Sequence, residues 1–490
     1  MQNFFIAYPE VILVLVASAV LLLELCAKDA QRSVIHVVSL LGLAGAGILT
    51  ANMWHAGTDL HTFNDMFVSD PLSNLAKMFS YICVAVTFVY GQRYAADRGF
   101  LHGEYYSLSL FALVGQMVMI SSHHLLGLYM GLELQALSLY AMVALRRDHV
   151  RSIEAAMKYF ILGAIASGFI LFGISMIYGA TGGKLSIVEI ANVIESGKFI
   201  PQVLVFGLVF LVAGMAFKLG VVPFHMWVPD VYQGSPTPVT LMISSAPKIA
   251  AFVMVVRVLV EALSARTADW NGMFAAMAVV SLALGNLTAI RQKNFKRMLA
   301  YSGISHMGFV LLGFLAGRAG SDAFNGFIGV GSAFYYVIIY AITTLASFGV
   351  ILAMSHTGFE ADQIDDLKGL NKRNPWLAFL VLVLMFSLAG IPPLAGFFAK
   401  FVILKGLMQS GHIGLSVLAV MFSLIGAFYY LRAVKVMYFD KPEVESAITF
   451  SPIHHVVLSV NVLALLALGV LPSGLINMAI NSVLKSLGAA

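Results

Sequence analysis

Four charged residues stand in the middle of long apolar runs, and their types suit the movement of protons. They are Glu133 in GLELQALSLY, Lys218 in GMAFKLGVVPF, Lys248 in ISSAPKIAAF and Lys400 in GFFAKF. If these runs cross a bilayer, a charge at mid-span costs about 2.5–3.5 kcal/mol, so the side chains should face protein or water. Burial weakens the preference of an amine for its charged form and a nearby carboxylate restores it, so a moving carboxylate could switch a lysine. One buried amine often only holds helices together, but four charges in one chain favour a proton route.

Two of these lysines lie beside sequences that interrupt a helix. Lys218 is followed by LGVVPFHMWVP, which contains Pro223, and Lys400 is preceded by GIPPLAGFFA, which contains Pro392 and Pro393. Proline removes a backbone donor and clashes with the preceding turn, so both helices should be broken. Broken helices at membrane depth are tolerated only where the freed backbone groups meet protein or water. The breaks therefore predict a wet interior, with ordinary proline kinks as the alternative.

Two histidines lie between these lysines in the sequence. His225 comes directly after the first break, and His306 lies in the run AYSGISHMGF. His306 could bridge Lys248 to Lys400 through water, so both histidines are candidates for proton transfer. A histidine in a membrane helix is as often a packed, hydrogen-bonded residue, and that interpretation stays open.

Glu154 and Lys158 are four residues apart at the start of another apolar run. This spacing favours an ion pair on the surface of a helix. The pair is either a plain anchor or a gate that feeds Glu133.

Several further charges lie near the ends of apolar runs, where a long side chain can reach the interface while its stem stays in the membrane. We expect such snorkelling for Lys77, Lys405, Arg257, His123 and His124.

The composition places these charges in a membrane protein. Of 490 residues, 60% are hydrophobic and only 11% are charged, which is too few to cover the surface of a soluble chain. Runs of about 20 apolar residues predict an all-α polytopic membrane protein with about 14 transmembrane helices. Two cysteines, both in apolar runs, exclude a disulfide framework, a cysteine-ligated iron–sulfur cluster and the usual structural zinc site.

The two breaks fall in predicted helices 7 and 12, which suggests an internal repeat. Residues 105–260 would hold helices 4–8 and residues 261–440 helices 9–13, as two five-helix units. Residues 1–104 would hold helices 1–3, and residues 441–490 helix 14 and the C-terminus. An odd number of helices per unit inverts the second unit relative to the first.

The basic residues are unevenly distributed between the two ends of the predicted helices. One end holds most of them, including the cluster Arg291, Lys293, Lys296 and Arg297. Because cytoplasmic loops carry the excess of Lys and Arg, we expect both termini outside the cytoplasm. We therefore interpret the surplus of 29 basic over 24 acidic residues as a sign of how the helices are oriented in the membrane, rather than as a nucleic-acid-binding surface.

Signatures of soluble enzymes are missing from the sequence. The run GLAGAG has the wrong spacing for a dinucleotide fingerprint, and no P-loop, HExxH, CxxC or G-x-S-x-G pattern occurs. A Na⁺ or Ca²⁺ site would need several oxygen ligands, and no intramembrane cluster of Asp and Glu supplies them. The sequence therefore predicts neither a cofactor-binding nor a metal-binding residue.

Several stretches together resemble the antiporter-like membrane subunits of respiratory complex I. They are GLELQALSLYAMVALRRD, FKLGVVPFHMWVPDVYQGSPTPVT with ISSAPKIA behind it, NFKRMLAYSGISHMGF and LAGIPPLAGFFAKF. The resemblance covers nearly the whole chain, although KLGVVPFHMWVPD alone does not separate the sister types. Among the sister types L, M and N of this family, the stretch GLELQALSLYAMVA is closest to the N type. Lys400 also favours the N type, because M-type chains have a carboxylate at this position.

The resemblance implies roles for the charged residues. It matches Glu133 to the glutamate of helix 5, Lys218 and Lys248 to the lysines of helices 7 and 8, and Lys400 to the terminal lysine of helix 12. Glu154 and Lys158 also match positions of N-type chains. In this family the Glu and Lys pair controls a proton route that passes through the central lysine to the last one.

The resemblance also implies what lies outside the chain. NADH, FMN, iron–sulfur clusters and quinone belong to other subunits, and quinone reduction there supplies the energy. The expected partners are other membrane-arm subunits, including antiporter-like paralogues and small membrane subunits, and the lipid bilayer. The expected location is a bacterial inner membrane. Two alternatives stay open, a subunit of an Mrp-type cation/proton antiporter and a scaffold whose channel is silent.

Overall fold

Long helices account for most of the chain, as the apolar runs predict. The computed structural model describes residues 4–26, 32–57, 59–316, 323–442 and 451–488. The helices in these residues are α1 (Tyr8–Cys26), α2 (Arg32–Ala56), α3 (Pro71–Asp97), α4 (Gly103–Ser121), α5 (Leu125–Val143), α6 (Val150–Ala180), α7 (Ile187–Glu195), α8 (Pro201–Leu219), α9 (Trp227–Gly234), α10 (Thr237–Ser244), α11 (Ala246–Val255), α12 (Thr267–Ile290), α13 (Phe295–Leu315), α14 (Ala323–Met354), α15 (Leu370–Arg373), α16 (Pro375–Ala389), α17 (Ala395–Gln409), α18 (Ile413–Phe439), α19 (Pro452–Val470) and α20 (Ser473–Ser486).

The all-α polytopic fold is confirmed, while the count of fourteen spans stays a prediction. Among the described residues, 12 helical segments are long and apolar enough to cross a membrane. The expected fourth span is α4, whose Glu104 and Gln116 lower its mean hydropathy. The expected twelfth span is divided into two shorter helices, α16 and α17, by the predicted break.

Both predicted breaks are present and share one geometry. Helix α8 ends at Gly220, with φ 76°, and helix α16 ends at Gly390, with φ 85°. Glycine reaches this left-handed conformation without a steric penalty, and it commonly ends a helix. The chain resumes as a helix at Trp227 after the first break and at Ala395 after the second.

The predicted helix 8 is also interrupted, which the sequence reasoning did not anticipate. Helices α10 and α11 meet at Ser245, whose backbone leaves the helical region. Pro247 follows in the first turn of α11, where its missing N–H requires no partner. The end of this segment, Val256–Ala262, is a π-helix. The structure therefore places a helix start one residue before Pro247 and two residues before Lys248.

The helices form a buried centre and an apolar outer ring. The segments Thr237–Ala262, Phe295–Leu315 and Asn325–Met354 are almost wholly buried, whereas Ile413–Phe439 and Pro452–Val470 are buried over less than a third of their length. The outer helices expose large apolar side chains, as a surface in contact with lipid does. The central segments contain Lys248 and His306, so the structure keeps these groups away from lipid.

A short hairpin covers one end of the bundle. Strands β1 (Leu60–Thr62) and β2 (Phe67–Ser69) pair antiparallel, with Leu60 opposite Ser69. The hairpin is attached to the linker between α4 and α5 through a bridge from Phe67 to Ser122. It lies at the end opposite the basic cluster at 291–297.

Candidate functional site

The first helix break holds the ammonium group of Lys248. The last carbonyls of a helix have no partner within it and carry partial negative charge, so they favour a cation. Lys248 donates from Nζ to the carbonyl oxygens of Lys218 at 3.1 Å and Leu219 at 2.8 Å, the last two residues of α8. The same Nζ lies 5.2 Å from the ring centre of Trp227 at the start of α9. The break thus provides the binding site for a buried lysine.

The second break holds Lys400 in the same way. Its Nζ donates to the carbonyl oxygens of Leu388 at 3.1 Å and Ala389 at 3.0 Å, which end α16. It also donates to Oγ of Ser423 at 2.9 Å, and it lies 5.5 Å from the ring centre of Phe309. At both breaks an ammonium group therefore binds the two carbonyls that precede the left-handed glycine.

The two glycines leave room for these ammonium groups. A Cβ at Gly220 would lie 3.3 Å from Nζ of Lys248, and a Cβ at Gly390 would lie 3.2 Å from Nζ of Lys400. Each glycine is thus required by its backbone conformation and by the lysine beside it.

Glu133 and Lys218 are near each other without forming an ion pair. Glu133 is half-buried in α5, and its Oε1 has no hydrogen-bond partner among the described residues. Its charge acts on Lys218, which is half-buried in the last turn of α8. In the described part of the chain no oxygen of Glu133 lies within 4.0 Å of Nζ of Lys218. A small displacement can therefore strengthen or weaken this interaction.

His306 lies on the Lys400 side of the bundle. Its Nδ1 is 2.7 Å from the hydroxyl of Tyr336, and its Nε2 is 3.2 Å from the hydroxyl of Tyr430. A cavity of about 10 Å³, enough for about one water molecule, is lined by both His306 and Leu388, and the carbonyl of Leu388 binds Lys400. No described contact joins His306 to Lys248, so that half of the expected bridge stays a prediction.

The expected ion pair between Glu154 and Lys158 is present, and Lys158 also contacts a second carboxylate. Nζ of Lys158 lies 2.8 Å from Oε1 of Glu154 and 2.8 Å from Oδ2 of Asp230. Oδ1 of Asp230 in turn accepts from Arg297 at 2.6 Å. Asp230 was not among the residues predicted from the sequence; it lies on α9, the short helix after the first break, and contacts α6 and α13.

These four residues and His225 line one open cavity of about 590 Å³ between α6, α9 and α13. The structure therefore brings three of the predicted residues, Glu154, Lys158 and His225, to a single open cavity.

Three of the charges expected to snorkel are buried instead. Lys77 is paired with Glu10 at 2.6 Å, and Arg257 is paired with Asp70 at 2.6 Å, where both side chains are 1% exposed. His123 is 4% exposed. The prediction was wrong for these residues because carboxylates from distant segments meet them, which a single apolar run does not reveal. Lys405 is exposed and His124 partly exposed.

A network of ion pairs and hydrogen bonds surrounds the half-buried Glu360 at the basic end of the molecule. Its carboxylate accepts from Tyr94 at 2.6 Å and from Arg98 at 3.0 Å, and it also accepts from Thr237. Lys296, counted from sequence as a loop charge, is 2% exposed and lies 3.8 Å from Glu360. Burial alone would raise the pKa of Glu360, but Lys296 and the hydrogen bonds outweigh it and hold this pKa below its usual value.

Comparison with known proteins identifies the family. Residues 122–426 match the family described as "NADH:quinone oxidoreductase/Mrp antiporter, TM". The chain is 54% identical over 486 residues to NADH-quinone oxidoreductase subunit N of Herminiimonas arsenicoxydans, covering 98% of each chain, and 51% identical over 487 residues to that of Nitrosomonas europaea, covering 99% of each. A chain of respiratory complex I from Thermus thermophilus superposes with a TM-score of 0.80 at 30% identity, over 96% of this chain and 99% of that one. The chain therefore belongs to the NADH-quinone oxidoreductase subunit N family, the antiporter-like membrane-arm subunits of complex I.

Proposed function

We propose that this chain moves protons across a bacterial inner membrane as a subunit of NADH:quinone oxidoreductase. The observation that carries the proposal is the repeated arrangement of a lysine ammonium on the two terminal carbonyls of a broken helix, with Lys248 at one break and Lys400 at the other. A structural role alone would not require two amines in the same unusual setting. The relatives named subunit N, at about half identity over the full chain, support the assignment to this complex.

The proposed route begins at the open cavity lined by Glu154, Lys158 and His225, where water would enter. It continues through Glu133 and Lys218 to Lys248, because Lys248 binds the backbone of Lys218 itself. His306 and the one-water cavity beside it would complete the approach to Lys400.

The helix breaks supply the energetic control in this proposal. The charged amine donates stronger hydrogen bonds to the carbonyls than the neutral amine does, so a change at the break alters proton affinity. Moving one charge against 100 mV costs about 2.3 kcal/mol, and each pKa unit is worth about 1.4 kcal/mol, so a few units at paired groups suffice.

The organisation around the route belongs to the same proposal. The matching breaks support two five-helix units, 105–260 and 261–440, with the second inverted. NADH, FMN, iron–sulfur clusters and quinone would bind to other subunits, with antiporter-like paralogues and small membrane subunits as neighbours. The excess of Lys and Arg at one end supports both termini outside the cytoplasm.

The test is NADH-driven acidification of inverted membrane vesicles that carry Glu133→Ala or Lys218→Ala. We expect a fully assembled complex whose acidification rate falls strongly, because a positioned proton-transfer group contributes about 10²–10⁴-fold to the step that it catalyses. Wild-type acidification by both assembled variants would refute the assigned roles. Cation exchange in vesicles without NADH would instead support the Mrp-type alternative.

A further inference from the structure

Three potential metal ligands converge at the end of the molecule opposite the basic cluster. His61 lies on β1, Asp65 at the tip of the hairpin and His123 in the linker between α4 and α5. One donor atom from each lies within 4.8 Å of the other two. The hairpin is fixed against the linker because the His123 N–H donates to the carbonyl of Met66 at 3.0 Å. The convergence therefore follows from backbone contacts and not only from side-chain orientation.

The two ring nitrogens of His61 face different carboxylates, one inside the cluster and one outside it. Nδ1 lies 2.9 Å from Oδ1 of Asp65, yet it makes no hydrogen bond in the described part of the chain. Nε2 lies 3.5 Å from Oδ1 of Asp59 on the other side of the ring. Two donor atoms that are close but not hydrogen-bonded have the spacing of two ligands of one cation.

His123 is buried, and only one of its two ring nitrogens faces a carboxylate. It is 4% exposed, and its Nδ1 is buried without a hydrogen-bond partner among the described residues. Its Nε2 lies 3.7 Å from Oε1 of Glu261, a carboxylate that Arg257 also binds. A buried ring nitrogen without a hydrogen-bond partner is free to bind a ligand. Because Nε2 faces a carboxylate, Nδ1 is the nitrogen left to bind a cation.

We propose that His61, Asp65 and His123 bind one divalent transition-metal cation of the Zn²⁺ class. Two imidazoles and one carboxylate suit zinc, with water in the fourth position, whereas Mg²⁺ and Ca²⁺ prefer oxygen donors alone. A histidine ligand commonly presents its other nitrogen to a carboxylate, as His61 does to Asp59 and His123 to Glu261.

The position of the cluster makes the site accessible from one side of the membrane. The side chain of Asp65 is 60% exposed and that of His61 33% exposed, so a cation can enter from solvent beside the hairpin. His123 closes the inner side. A bound cation would join the hairpin to the α4–α5 linker.

The experiment measures zinc content in the intact complex. Complexes carrying Asp65→Asn or His123→Gln are equilibrated with micromolar Zn²⁺ held by a chelator buffer, passed through gel filtration and analysed by mass spectrometry. His124→Gln is the matched control, because this neighbouring histidine lies outside the cluster. We expect each test variant to retain about one Zn²⁺ fewer per complex than the wild type, and the control to match the wild type.

Two results would overturn the site. One is equal zinc content in the wild type and in the Asp65→Asn complex, whose exposed substitution leaves assembly intact even if His123→Gln does not assemble. The other is retention of the additional zinc only at millimolar Zn²⁺, which would make it an adventitious ion only. A second readout, slower hydrogen exchange of the backbone amides at 60–69 in Zn²⁺, would support the site if Asp65→Asn abolishes it.

Discussion

At the scale of single residues, the lysines of this chain are distinguished by their partners rather than by their depth. Lys248 and Lys400 bind backbone carbonyls, Lys158 binds two carboxylates, and Lys218 has an electrostatic neighbour without an ion pair. The sequence identified Lys218, Lys248 and Lys400 as candidates because a charge in an apolar run is costly, and Lys158 because it is four residues from Glu154. It could not identify Ser423 and Asp230 as partners, since each lies on a different helix from the lysine that it contacts.

Substitution can distinguish the roles of the two carboxylates that contact Lys158, Glu154 and Asp230. Asp230→Asn removes a partner of both Lys158 and Arg297, whereas Glu154→Gln removes only an exposed partner of Lys158. We expect Asp230→Asn to slow NADH-driven acidification severalfold, and Glu154→Gln, worth less than about 1 kcal/mol as an exposed pair, to have a small effect. Equal effects in the same vesicle assay would mean that the two carboxylates share one role.

At the scale of elements, two broken helices position the chemistry. Prolines and glycines in the sequence predicted both breaks, because their backbone restrictions act locally. The interruption at Ser245 was missed, since a single proline in ISSAPKIAAF also suits an unbroken helix start. The binding of an ammonium group to the freed carbonyls could not be predicted, because Lys248 meets α8 only in the folded bundle.

The glycines at the breaks can be tested against a glycine of similar conformation elsewhere. Gly220→Ala places a side chain on a left-handed backbone at a cost of about 1–2 kcal/mol, and its Cβ would lie 2.8 Å from Cγ2 of Val228 and 3.3 Å from Nζ of Lys248, so both must move. Gly182→Ala imposes the same backbone cost at φ 68° in open space. We expect acidification to fall strongly only for Gly220→Ala, at comparable levels of assembled complex. Matching losses in both variants would assign the effect to backbone strain alone.

At the scale of the whole molecule, buried ion pairs join distant helices at both ends of the bundle. Arg257 with Asp70 links the π-helical segment to the start of α3, and Glu360 links a loop to α3, α10 and α13. The all-α fold and its apolar exterior follow from composition. These long-range pairs do not, because residues such as Tyr94 and Glu360 are 266 positions apart.

The Glu360 network predicts a dependence of stability on pH. Because the folded-state pKa of Glu360 is below its usual value, its contribution is present above pH about 4.5 and is lost as the pH falls through the lower folded-state pKa. Glu360→Gln should cost about 3 kcal/mol at pH 7, since it leaves the buried Lys296 without its carboxylate.

Thermal unfolding of the purified full chain in detergent, followed by circular dichroism, measures both effects. We expect Glu360→Gln to unfold at a lower temperature than the wild type at pH 7, and the difference to shrink towards pH 3. Asp365→Asn, at an exposed carboxylate, is the control and should unfold like the wild type. A constant difference between pH 7 and pH 3 would mean that the charge of Glu360 does not stabilise the fold.

The most direct test of the proton route compares lysines that differ in their relation to the breaks. Complexes carrying Lys248→Ala, Lys400→Ala or, as the control, Lys405→Ala, an exposed lysine only five residues beyond Lys400, are reconstituted into proteoliposomes. Initial acidification on NADH addition is then recorded at equal complex content. The proposed route predicts a strong loss of acidification for the two lysines at the breaks, since a proton-transfer group contributes about 10²–10⁴-fold to its step, and a wild-type rate for the control. A wild-type rate in all three complexes would contradict proton transfer through the broken helices.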